Sequence, residues 1–256
     1  MNHRIRTRIL PAITALLLVG TALCAEPADD LLKKGDVLDQ RLQAGEALKF
    51  YLPAEKLDPK DPRIPTRIAR QYRHLMADAS SKEEKLRLGK IALDYGRRAA
   101  ALGPNDSDAQ LSVAISYGKM LPLFGTREQV DASPRIKTAV DKALALNPRN
   151  DLAWHILGRW HRALADVGGV KRALAGVVYG TLPVGSIDEA ARCLEKAVAL
   201  NPSRFIHYIE LGRVYAQMGR KEDARRFINK GLAMPNVEKD DPEAKEHGRE
   251  TLQSIR

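Results

Sequence analysis

Tyr208-x-x-Leu211-Gly212-x-x-Tyr215, followed by Ala224 and Ile228, is the stretch on which the fold turns. Large residues at 208, 211 and 215 recur at steps of three and four, the spacing of one helix face. Gly212 lies on that face, and Ala224 and Ile228 set a small residue beside a large one in the next helix. Two helices approach most closely where both carry small side chains, and a larger group there would hold them apart. The stretch therefore predicts a helical hairpin, one unit of a repeat of about 34 residues.

Earlier stretches fall into the same register. Trp154-x-x-Leu157-Gly158-x-x-His161 opens a unit closed by Ala190, Leu194, Ala197 and Pro202. Before it, Val113, Ala114 and Tyr117 pair with Ile136, Val140, Ala143 and Pro148, and Ile68, Ala69 and Tyr72 pair with Ala92, Gly96, Ala99 and Pro104. The first unit joins Leu31, Gly35 and Leu38 to Ala47, Tyr51, Ala54 and Pro59. Three second helices close with Ala-Leu-Asn-Pro (145–148, 199–202) or Ala-Leu-Gly-Pro (101–104). Each proline removes a backbone donor and restricts the residue before it, so helix termination is written in.

This pattern matches the tetratricopeptide repeat. The expected fold is all-α, a right-handed tetratricopeptide-type solenoid of five hairpins at about 28–61, 62–106, 107–150, 151–204 and 205–238, with a capping helix at 242–256. Aromatic residues make up only 5 % of the chain, which fits helices better than strands. The second to fourth units are lengthened. The longest insertion, 162–186, holds an apolar stretch at 172–179, read as an extra packed helix or else a lid or lipid-facing element.

Residues 1–25 have the form of a secretory signal: Arg4, Arg6 and Arg8, an apolar stretch at 9–23, then small Ala22 and Ala25. The apolar run is shorter than the ~20 residues of a membrane-spanning helix. The expected location is therefore periplasmic or secreted, the alternative being an uncleaved membrane anchor. Cys24 sits at the expected cleavage site, which leaves Cys193 alone and read as a small core residue. The net charge of +10 falls to +7 without the three signal arginines. That excess points to acidic partners, with no nucleic acid expected for an exported protein.

Motifs that would mark a nucleotide-binding loop, a nucleophile elbow or a zinc-binding His-Glu-x-x-His helix do not occur. His155 and His161 are six residues apart and do not share a helix face. No enzymatic activity, metal or cofactor is expected.

In stacked hairpins of this type the first helices line the concave groove, with positions 2, 5, 9, 12 and 13 of each unit facing it. Those positions hold Arg63, Arg70 and Arg73 (with Arg67 adjacent), then His155, Arg159 and Arg162, then Arg213, with few acids between them. Guanidinium groups bind carboxylates through paired donors, so the groove is expected to take a protein or peptide of acidic or carboxylate character, or an anionic lipid headgroup. The competing reading pairs these arginines with acids from neighbouring helices. Gly35, Ala47, Ala69, Tyr72, Ala92, Ala114, Tyr117, Ala143, Trp154, Leu157, Gly158, Ala190, Ala197, Tyr208, Leu211, Gly212, Tyr215 and Ala224 are the expected packing positions.

The C-terminal half carries a more specific likeness. His155-Ile-Leu-Gly-Arg-Trp160, Tyr179-Gly180-x-x-Pro183, Ile187-x-Glu189-Ala190, Tyr208 with Tyr215, and Leu232-Ala-Met-Pro-x-Val237 resemble the regulator of microtubule dynamics family. The resemblance implies a helical repeat protein without enzymatic activity. It also implies, for eukaryotic members, association with microtubules or organelle contacts and a link to phospholipid binding. An exported chain cannot meet a cytoplasmic polymer, so that role is expected here only if the N-terminus is not an export signal.

Overall fold

The computed structural model describes residues 27–168 and 183–256. Its α-helices are α1 (Ala28–Gln40), α2 (Ala44–Leu57), α3 (Arg63–Asp78), α4 (Lys82–Leu102), α5 (Ser107–Met120), α6 (Thr126–Leu146), α7 (Asp151–Ala165), α8 (Ile187–Leu200), α9 (Phe205–Gln217), α10 (Lys221–Leu232) and α11 (Asp241–Ser254). A single 3-10 turn, Leu121–Leu123, joins α5 to α6, and no strand occurs among the described residues.

Local chemistry sets the helix ends. Ser81, Asp106, Asn150 and Ser186 each precede a helix and accept backbone N–H groups from its first turn. At the other end, Gly103, Asn147 and Asn201 leave helical geometry, each directly before a proline. Pairing runs α1 with α2, α3 with α4, α5 with α6, α7 with α8 and α9 with α10; α3, α5, α7 and α9 also contact one another in succession. Helices α3, α5, α7 and α9 thus form one continuous inner face. The cap α11 packs on α9 and α10, with Gly248 over Ile209 and Ile228.

The packing positions are buried, with two exceptions. Tyr72 is partly exposed and stacks on Tyr95 at 5.8 Å. Trp154, expected in the core, is partly exposed because its indole N–H reaches out to the Pro148 carbonyl at 2.9 Å. Trp160 is the buried tryptophan, donating to the Ser133 carbonyl and hydroxyl at 3.1 Å. Gly158 and Gly212 mark close approaches between paired helices. A Cβ on Gly158 would stand 2.6 Å from Leu194 Cγ, and one on Gly212 2.5 Å from Ile228 Cγ1.

Lengthening in the second and third units goes into helices: α4 and α6 each run to 21 residues. The apolar stretch 172–179 of the fourth unit, the N-terminal segment 1–25 and Cys24 lie outside the described residues. Among the described residues no helix is long and apolar enough to cross a membrane.

Candidate functional site

Arg63, Arg67 and Arg70 of α3 each meet an acid supplied by a neighbouring element. Arg63 binds Asp61 and, at 2.8 Å, Asp29 of α1. Arg67 grips Asp36 through two nitrogens at 2.7 and 3.0 Å. Arg70 binds Asp39 at 3.1 Å. The expectation of a groove with few acids is corrected here: α1 lies beside α3 and presents Asp29, Asp36 and Asp39. These acids occupy positions 2, 9 and 12 of the first unit, the positions that hold Arg63, Arg70 and Arg73 in the second. Applying the groove rule to the first unit would have found them.

Deeper in the face, the Arg73 guanidinium is buried and donates to the hydroxyls of Ser112 and Ser116 on α5, each at 3.2 Å. Burial, with Arg70 beside it, pushes its pKa below the usual value, yet arginine stays charged. Lys119 of α5 lies close by. Burial, reinforced by Arg159 and Arg73, pushes its pKa down to about 8.

Carboxylates reach this cluster from the far end of the chain. The link between α10 and α11 crosses the inner face, where Glu238 accepts from Arg70 at 3.0 Å and lies 3.1 Å from His74 Nε2. Lys239 pairs with Asp78 of α3 at 3.0 Å, and Asp240 pairs with Lys119. Asp241 shapes the link by accepting the backbone N–H groups of Val237 and Glu238 at 2.5 and 2.7 Å. Burial would raise the Glu238 pKa, but the His74 hydrogen bond and Arg70 outweigh it and hold the group at about 2.

The other expected groove residues form a second cluster, on α7 and α9. Buried Glu210 accepts from Arg162 at 2.7 Å and Arg213 at 2.9 Å, and Arg159, half-exposed, stands 4.0 Å away. Burial opposes its ionisation, yet Arg162, Arg159 and Arg213 keep its carboxyl well below the ordinary range. His155, expected to face a ligand, is instead buried with its Nδ1 3.1 Å from His207 Nδ1. His207 Nε2 lies 2.8 Å from Asp151, which also accepts from Arg204. A carboxylate needs a donor, so the network assigns the proton to His207 Nε2 and a donating Nδ1–H to His155.

The family model of regulator of microtubule dynamics protein 1–3 matches residues 25–256. The chain belongs to this family. It is 25 % identical over 246 residues to regulator of microtubule dynamics protein 1 of Bos taurus, covering 95 % of this chain and 77 % of that one. To regulator 2 of Mus musculus it is 23 % identical over 191 residues, 74 % of this chain, and it spans only 47 % of that relative's length. Among solved structures, the tetratricopeptide-repeat protein TTC0263 of Thermus thermophilus superposes with a TM-score of 0.63 at 19 % identity, covering 88 % of this chain and 99 % of that one. The pilF protein of Pseudomonas aeruginosa gives 0.53 at 14 % identity, covering 89 % and 88 %. These likenesses place this family member in the tetratricopeptide helical-solenoid fold.

In this regulator-family chain the buried groups make stability depend on pH. Burial, aided by the facing His207 and by Arg159, holds the His155 pKa well below 6.5. Burial also lowers that of His207. As pH falls below 6.5 the unfolded chain binds protons that these two folded histidines refuse, so stability drops. A second loss starts below about pH 4.5, where Glu210 and Glu238 stay ionised only in the folded state, and runs toward about pH 2. The melting temperature is expected to fall from pH 7 to 5 and again below 4.5, with the first arm flattened in His155→Gln. A melting temperature that rises between pH 7 and 5 would contradict the assignment of neutral histidines.

Proposed function

We propose that this protein is a non-enzymatic, exported scaffold that binds an acidic segment of another protein on its inner face. The observation that carries this reading is the convergence of Arg70, Arg73 and Lys119, from α3 and α5, around Glu238 and Asp240, with Arg159 of α7 near Lys119. Cations drawn from separate repeats and gathered on two carboxylates form a surface suited to carboxylate side chains. The groups that catalysis would recruit are engaged elsewhere. Burial pushes the Cys193 thiol up to about 11, and His155 and His207 are locked together inside the fold. Export rests on the form of residues 1–25, and N-terminal sequencing of the mature protein tests it. A retained N-terminus would reopen the regulation of microtubule dynamics that the relatives' names give for those proteins.

The groove is tested with a fluorescein-labelled octapeptide of alternating glutamate and serine, followed by anisotropy at low salt, where charge pairing is least screened. Binding is expected to weaken at least about tenfold when Arg70→Glu and Arg159→Glu are combined, since each reversal removes and then opposes a charge pair. Reversing Arg135 and Lys142, exposed on α6, should leave it nearly unchanged. Equal loss from both pairs would mean that net charge alone attracts the peptide. Phospholipid co-purifying by mass spectrometry, with no peptide binding, would overturn the reading in favour of a lipid carrier.

A further inference from the structure

We infer that residues 235–240 are the chain's own ligand for the groove, with Glu238 and Asp240 filling two carboxylate subsites that an acid-x-acid segment of the partner takes when this strap lifts. The inference rests on the groove reading above and adds its mode of regulation and the spacing of the ligand.

The strap meets the groove through charges. Glu238 sits on Arg70 and His74, Lys239 on Asp78, and Asp240 on Lys119. Just ahead of them, the Val237 side chain is 56 % exposed, and its backbone N–H is held by Asp241 within the link itself. Apolar anchoring lies at the ends of the link: Met234 packs against the cluster of Phe205, Ile209 and Ile228, and α11 is docked on α9 and α10. The middle can therefore leave while both ends stay in place. The ion pairs are only partly buried, with side-chain exposures of 37 % and 21 % for Arg70 and Glu238 and 27 % and 49 % for Lys239 and Asp78, so a competing anion can reach them.

What lies beneath the strap decides what replaces it. Arg73 is bound by hydroxyls rather than by a carboxylate, and Lys119 is crowded by Arg73 and Arg159. With Glu238 and Asp240 withdrawn, these cations face one another and Arg70 keeps Asp39 alone. Such a surface favours exchange of one anion for another over an empty groove. Glu238, Lys239 and Asp240 form a turn, closed by the Asp241 N–H on the Glu238 carbonyl at 3.3 Å, which sets two carboxylates one residue apart on neighbouring cations. A short tether gives the strap an effective local concentration in the millimolar range, so a partner with a single carboxylate competes poorly and one with paired acids succeeds.

The test uses the full chain and the same glutamate–serine octapeptide. Glu238→Gln with Asp240→Asn keeps the side-chain shapes, removes the internal competitor and is expected to bind at least about tenfold more tightly than the unaltered protein. Equal affinity for both proteins, still abolished by Arg70→Glu with Arg159→Glu, overturns the strap while leaving the groove intact. No binding to either sinks the groove reading, and the strap with it. Should the double variant fail to fold, amide exchange on the unaltered protein gives the answer. Saturating peptide should speed exchange at 236–240, and unchanged exchange there overturns the proposal.

Discussion

Glu210→Ala is expected to cost about 3–5 kcal/mol of folding stability, measured by urea unfolding. Glu210 is buried and, among the described residues, carries the only carboxylate paired with Arg162 and Arg213, while Arg159 stands 4.0 Å off. Deleting it leaves two guanidinium groups, each only 22 % exposed, without a counter-charge. Removing one partner of a buried pair costs far more than the pair contributes, because the stranded charge keeps its desolvation penalty. Glu210→Gln retains hydrogen-bond acceptance and should lose less. A loss below about 1 kcal/mol for the alanine variant would show the cluster to be as weak as a surface pair.

Gly212→Val is expected to cost about 3 kcal/mol, near the top of the range for overpacking a well-filled core. The new Cβ would meet Ile228 Cγ1 at 2.5 Å, the Ala224 carbonyl at 3.0 Å and the Ile228 nitrogen at 3.1 Å. Two of the three are backbone, and Ile228 is fully buried, so it cannot swing aside. Relief comes only by separating α9 from α10, the last hairpin and the platform for α11. Gly118 is the control, since nothing lies within 4 Å of a Cβ added there. Gly118→Ala should gain about 0.5–1 kcal/mol from helix propensity. If Gly212→Val proved as harmless, close approach would not explain the glycine.

Packing was the most legible part of the chain. Gly158, Ala190 and Leu194 meet because they recur at fixed helical offsets, and hairpin contacts are short-range in sequence. Trp154 and Tyr72 departed from expectation because position within a repeat specifies a slot but not its depth. The pairing of the α3 arginines was legible too, since Asp29, Asp36 and Asp39 share their register one unit earlier. The Arg70–Glu238 pair is another matter. Its members stand 168 residues apart, and the link carries no periodicity, so no local pattern announces the contact. Acids at 240 and 241 look like ordinary helix-start charge, which describes Asp241 but not Asp240.

Acidic chains are expected to bind on the face formed by α3, α5 and α7. Photo-crosslinking tests it most directly, with a benzophenone-bearing glutamate–serine octapeptide and mass-spectrometric mapping of the adducts. Adducts are expected on α3, α5, α7 and the 235–240 link. Adducts confined to α4, α6 and α8 would contradict this expectation.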